Sequence, residues 1–186
     1  GGYLSAGASE IFLTFTAKWI ESLGDLVSEY ITINEPNVYA VNSYFFGIWP
    51  PGIKSFRAVI DFYRSMTVCH TKAYLLIHRI RRHMGFLDTK VGVANHIRIF
   101  EPACRFNPWH IICARFMDLM FQKAITRSMS FGRRTFPIGR CKGVLPGKYY
   151  DFIGINYYSR STVSGFSDGV RKGSAVNDLG WEIYPE

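Results

Sequence analysis

A chain of 186 residues that is 48% hydrophobic can bury one sizeable core and is globular rather than disordered. Its net charge of +8 raises nucleic acid as a partner, yet the cations are scattered: Arg79, Arg81 and Arg82 close a predicted helix, where they favour its dipole, and Arg133, Arg134, Arg140, Lys142, Arg171 and Lys172 fall in two loops. They read as solvated faces, so no nucleic acid is expected, and with no apolar run long enough to span a bilayer no membrane is expected either.

From Ser9 to Leu23 the apolar positions Ile11, Phe15, Trp19 and Leu23 recur at helical spacing, with Phe12 and Ile20 alongside, and Gly24 follows as a stop, which predicts an amphipathic helix whose Phe and Trp stripe packs in the core. Tyr30 to Asn34 is rich in β-branched residues and runs into Glu35 and Pro36, so it is a short strand that ends on a carboxylate. Buried parallel strands deliver catalytic groups at their carboxyl ends, which makes Glu35 the first candidate. Asn37 to Ser55, punctuated by Pro50-Pro51-Gly52, is expected to be an aromatic loop hanging off that strand end.

Between Phe56 and Arg82 the residues Val59, Phe62, Met66, Cys69, Ala73, Leu76 and Ile80 keep a three-four spacing and mark a long helix. His70 and His78 fall off that stripe and are expected at the surface. Lys90 to Ile97 is a second strand, Trp109 to Ser130 a further helix closed by Gly132, and Tyr150 to Ser159 a third strand. Ser161 to Asp178 reads as a loop excursion. Buried strands alternating with long helices predict βαβ units and a parallel sheet, an α/β fold of the (β/α)8 TIM-barrel kind, with Asn34-Glu35, Asn95-His96 and Asn156-Tyr157-Tyr158 gathered at one rim. Cys69, Cys104, Cys113 and Cys141 form no C-x-x-C pair and no ligand rhythm with the histidines. No metal or cofactor is therefore expected, and reduced thiols suggest a cytoplasmic setting.

Four motifs occur in order along the chain: Gly1-Gly2-Tyr3, Thr32-Ile33-Asn34-Glu35-Pro36, Asp151-Phe152-Ile153-Gly154-Ile155-Asn156-Tyr157-Tyr158-Ser159, and Gly180-Trp181-Glu182-Ile183-Tyr184-Pro185-Glu186. Together they resemble the glycoside hydrolase family 1 β-glucosidases. The resemblance implies that residues 1–186 are the central fragment of a single barrel domain, covering its strands four to six. It also implies a retaining hydrolase acting on a β-glucoside or oligosaccharide. Glu35 would be the general acid/base, Asn34 would hold the sugar 2-hydroxyl, Tyr158 would hydrogen-bond the nucleophile, and Asn156 would line the same pocket. The nucleophile of the family, a Glu on the seventh strand, falls outside the chain, and Asn37 stands where the family commonly has a bulky residue. A catalytically silent sugar-binding homologue and an inactive truncated product are the alternatives to an enzyme.

Overall fold

A computed structural model describes residues 2–185. Helix α1 (Ala8–Leu23) leads into strand β1 (Glu29–Asn34), and the short α2 (Pro36–Ala40) follows at once. The long α3 (Phe56–His83) returns the chain to strand β2 (Lys90–Pro102). Helices α4 (Pro108–Asp118) and α5 (Ala124–Phe131) then lead to β3 (Phe152–Ser164) and the short β4 (Ser167–Gly169). The sheet runs β1-β2-β3-β4, with the first two pairings parallel and the last antiparallel.

Local chemistry accounts for the helix boundaries. Ser55 caps α3 by accepting from the Ala58 N–H at 3.3 Å, and Asn107 caps α4 by accepting from Trp109 N–H at 3.0 Å, with Pro108 in the first turn where its missing donor costs nothing. Gly132 ends α5 at φ 59°, and a β-carbon there would lie 2.4 Å from the Leu145 carbonyl oxygen, so only glycine suits the turn. The main core lies between α3, α5 and β2, where Phe62, Tyr63, Met66, Ile125, Met129 and Val93 are all buried. A second cluster joins Ile20 of α1, Tyr30 of β1, Ile77 of α3 and Val91 of β2.

The two parallel registers bring the strand ends together: Asn34 lies opposite Ala94, and His96 opposite Asn156. Just ahead of β3, Asp151 accepts from Val91 N–H at 2.8 Å and from Tyr74 and His78 of α3, which pins the start of the strand to both its neighbour and the covering helix.

Several expectations are corrected. The α1 stripe is turned outward, with Ile11 71%, Phe15 64% and Trp19 41% exposed, while Phe12 and Ile20 face the described core. Periodicity tells which residues share a face but not which of two apolar faces meets the neighbours. Asn37 to Ser55 is not all loop: α2 and a π-turn at Val41–Phe45 occupy its first half and bury Ala40 and Tyr44. Ser161 to Asp178 is partly strand, because β3 continues to Ser164 and turns back into β4. Its polar residues carry no apolar alternation, so the backbone ladder is the only sign of it.

His70 and Arg81 are buried, not solvated. His70 Nε2 meets the Tyr149 carbonyl at 2.8 Å and Nδ1 meets Thr32 Oγ1 at 2.6 Å. Arg81 donates to the Gly24 carbonyl, to Thr89 and to Asp88, and lies 4.2 Å over the Phe86 ring. A partner on each guanidinium nitrogen of Arg81 and on both ring nitrogens of His70 makes the burial tolerable. No described helix is long and apolar enough to cross a membrane.

Candidate active site

Glu35 sits where β1 breaks into α2. Its N–H still donates to Ala94 O at 2.8 Å, as a strand residue would, and its carbonyl accepts from Val38 and Tyr39, as a helix cap would. Serving both elements forces φ 50° and ψ 52°, and Glu35 is the one non-glycine residue of positive φ among those described. Side-chain residues of this type in the left-handed region cost energy and persist where surrounding structure over-determines them, as active sites often do.

The carboxylate is held from the third strand. Glu35 Oε1 accepts from Asn156 Nδ2 at 2.8 Å and, more loosely, from the Tyr158 hydroxyl at 3.4 Å, and the same Asn156 amide also donates to Asn34 Oδ1 at 3.1 Å. The four residues singled out from sequence therefore converge on one side-chain cluster. Tyr158 reaches Glu35 itself in this arrangement. Its ring packs against His96, 4.8 Å away, and Trp181, 5.6 Å away.

Asn95 is at the same rim but turns its amide to Thr126 on α5 at 3.1 Å. His96 takes the pocket side instead. The signal was available in the alternation of β2: Val91, Val93 and Asn95 share parity and the helix-covered face, which leaves His96 on the other. Burial pushes the His96 pKa down to about 4, with Arg98 acting in the same direction and Glu35 opposing. Asn37, the departure from a bulky residue, donates from Nδ2 to the His96 carbonyl at 2.6 Å, taking up a ladder position that β1 has already left.

The other acids at this end of the sheet are committed elsewhere. Arg160 pairs with Glu101 at 3.0 Å and with the buried Glu182, and stacks 3.9 Å over Tyr184. Burial would raise the Glu182 carboxyl, but Arg160, Ser174 and the Arg171 N–H together hold it below the usual carboxylate range. It is a structural ion, not a second reacting carboxylate. Among the described residues no hydrogen bond joins Glu35 to another acid.

A family model described as Glycosyl hydrolase family 1 matches residues 1–178. The chain is 28% identical to Galactolipid galactosyltransferase SFR2, chloroplastic, of Arabidopsis thaliana, with all of this chain and 28% of that protein aligned. It is also 28% identical to Beta-glucosidase A of Thermotoga maritima, over all of this chain and 44% of the relative. A solved Thermotoga maritima family 1 glycoside hydrolase, complexed with a cyclophellitol analogue transition state mimic, superposes with a TM-score of 0.80 at 24% identity, covering 99% of this chain and 44% of that one. The chain thus spans less than half the length of these relatives, and its α/β sheet is part of a TIM barrel. The chain belongs to glycosyl hydrolase family 1.

Proposed function

We propose that residues 1–186 contribute strands four to six of one barrel domain, in an enzyme that hydrolyses β-glucosides or related oligosaccharides with retention, and that Glu35 is its general acid/base. The cytoplasmic setting suggested by the thiols is part of the same proposal. The observation that carries the reading is a carboxylate at a parallel strand's carboxyl end, on a strained backbone, with Oε1 bound by both Asn156 and Tyr158.

In the first step protonated Glu35 gives its proton to the departing glycosidic oxygen while a second carboxylate, outside residues 1–186, bonds to the anomeric carbon. In the second step ionised Glu35 takes a proton from water as the water oxygen displaces that carboxylate. Asn34, tied to Asn156, is suited to hold the sugar 2-hydroxyl. Tyr158 is suited to bridge the two carboxylates. The relative named as a galactosyltransferase makes the fate of the glycosyl group the quantity to measure, since an acceptor hydroxyl can replace water in the second step.

Glu35→Gln in the complete enzyme is the test. Hydrolysis of alkyl glycosides, which need a proton on the leaving oxygen, falls by about 10²–10⁴-fold, while glycosyl-enzyme formation from activated aryl glycosides is spared. Azide, attacking without base help, restores turnover and yields a glycosyl azide of retained configuration. Equal losses on both substrate types count against the assignment.

A further inference from the structure

We propose that His96, locked by Arg98, is the residue that positions the Tyr158 ring against Glu35; the inference rests on the reading of Glu35 as acid/base. It begins with an irregularity in the sheet. His96 is in register with Asn156, but between Ile97 and Ile99 the ladder slips: Ile97 pairs with Tyr157 and Ile99 with Arg160, so β3 sets Tyr158 and Ser159 against Arg98 alone. A bulge of this kind bends its strand and re-aims a side chain.

On its other edge β2 has a built support. The Arg98 backbone faces the side that β1 has left, as the Ala94 and His96 carbonyls do, and Gln122 takes the place of the missing strand, accepting from Arg98 N–H at 2.8 Å and donating to its carbonyl at 2.9 Å. Gln122 lies in a π-turn, Leu119–Lys123, that separates α4 from α5, and the same turn sets Phe121 edge-on to His96 at 5.5 Å. His96 is thereby backed by Phe121, held at its carbonyl by Asn37, and presented to Tyr158 at 4.8 Å with a 57° tilt. Trp181 adds an edge-on contact at 5.6 Å, and the Tyr158 hydroxyl meets Glu35 Oε1.

The ring must be neutral to do this. Arg98 Nε donates to His96 Nε2 at 3.3 Å, so the Nε2 lone pair is in use and the proton sits on Nδ1. An imidazolium would oppose the guanidinium and, being near Glu35, would favour the ionised carboxylate over the acid that the first step needs. The charged and titratable groups facing the imidazole are Glu35 at the end of β1, Tyr158 on β3 and Arg98 on its own strand. Arg98 is itself countered by Asp168 of β4 at 3.5 Å, and the π-turn contributes only the uncharged Phe121. Burial and Arg98 both drive the pKa down, to about 4.

The experiment uses the complete enzyme and three variants, Arg98→Met, His96→Gln and the double variant. NMR of the labelled imidazoles, assigned by difference with His96→Gln, follows protonation directly. His96 is expected to stay neutral with its proton on Nδ1 down to about pH 4 in the wild type, and to titrate at higher pH in Arg98→Met. In parallel, the acid limb of kcat/KM on a poor leaving group moves to higher pH in Arg98→Met, with a loss of about tenfold near pH 5.5 carried by kcat rather than KM. The double variant, having no imidazole to charge, returns the acid limb to its wild-type position. A purely structural role for Arg98 lowers activity evenly across pH and leaves the limb in place, which overturns the proposal, as does a wild-type His96 that titrates near its ordinary value. Complete absence of turnover in the wild type refutes the reading of Glu35 instead. The imidazole titration and the Overhauser contacts between the His96 and Tyr158 rings then still decide whether the locked pair exists.

Discussion

His70 shows what one side chain can do between elements. Its Nε2 faces a carbonyl, so it carries the proton, and Nδ1 is left to accept from Thr32; the neutral ring thus ties α3 to β1 and to the segment before β3. Burial depresses its pKa to about 4, with the Tyr149 carbonyl opposing. The unfolded chain binds a proton near pH 6.5 and the folded one does not, so the stabilisation is fully present above about pH 6.5 and is lost as pH falls toward 4. The loss amounts to about 3 kcal/mol for this group. Urea midpoints of the complete protein between pH 7 and pH 4 check this: wild type is expected to lose more stability over that range than His70→Gln. Equal slopes would show that His70 titrates alike in both states.

At the scale of elements, the π-turn between α4 and α5 is the joint on which the pocket wall depends. Gln122 satisfies two backbone groups of Arg98 and is itself braced by Asp118, its Nε2 donating to Oδ1 at 2.7 Å. Gln122→Leu leaves a strand N–H and a carbonyl unpaired in a half-buried site, a cost of about 1–3 kcal/mol. It is expected to lower the urea midpoint and, by loosening β2 beside His96, to reduce kcat on poor leaving groups. Gln122→Glu keeps the contact to the Arg98 N–H but sets a carboxylate oxygen against Asp118 Oδ1 and the Arg98 carbonyl, so it too is expected to lower the midpoint. The helix was legible from Trp109 to Ser130 through its apolar spacing, but the π-turn was not, because one extra residue per turn leaves no distinctive residue type behind. The α1 stripe makes a similar point, since its spacing announced a helix correctly and its burial wrongly.

Taken whole, the described chain carries apolar surface that its own elements do not cover. Ile11, Phe15 and Leu26 on one flank and Ile155 at 67% exposure on the helix-facing side of β3 are all open, and β1 offers an unpaired edge. Exposed apolar faces and open edges of this kind drive association. Residues 1–186 expressed alone are expected to aggregate or to bind a hydrophobic dye, and to show no turnover of an aryl β-glucoside above a Glu35→Ala control. General acid/base help is worth only about 10²–10⁴-fold without a second carboxylate roughly 5–5.5 Å away. A monodisperse, active monomer on size exclusion would contradict this.

The alternation of β-branched strands with long helices, and the polar residues closing each strand, were enough to establish a parallel α/β sheet and to put Glu35, Asn34, Asn156 and Tyr158 at one rim. Those features depend on period and on neighbours in the chain, which a sequence records directly. Only the tertiary structure decided that Glu35 takes a left-handed backbone, that the Tyr158 ring rests against His96 with its hydroxyl on Glu35, and that His70 and Arg81 are buried among hydrogen-bond partners. Each of those outcomes turns on partners dozens of residues away, such as Ala94 for Glu35 and Tyr149 for His70, and on a slip of register between β2 and β3. Such choices belong to the packing of elements against one another, and no local pattern of residue types encodes them.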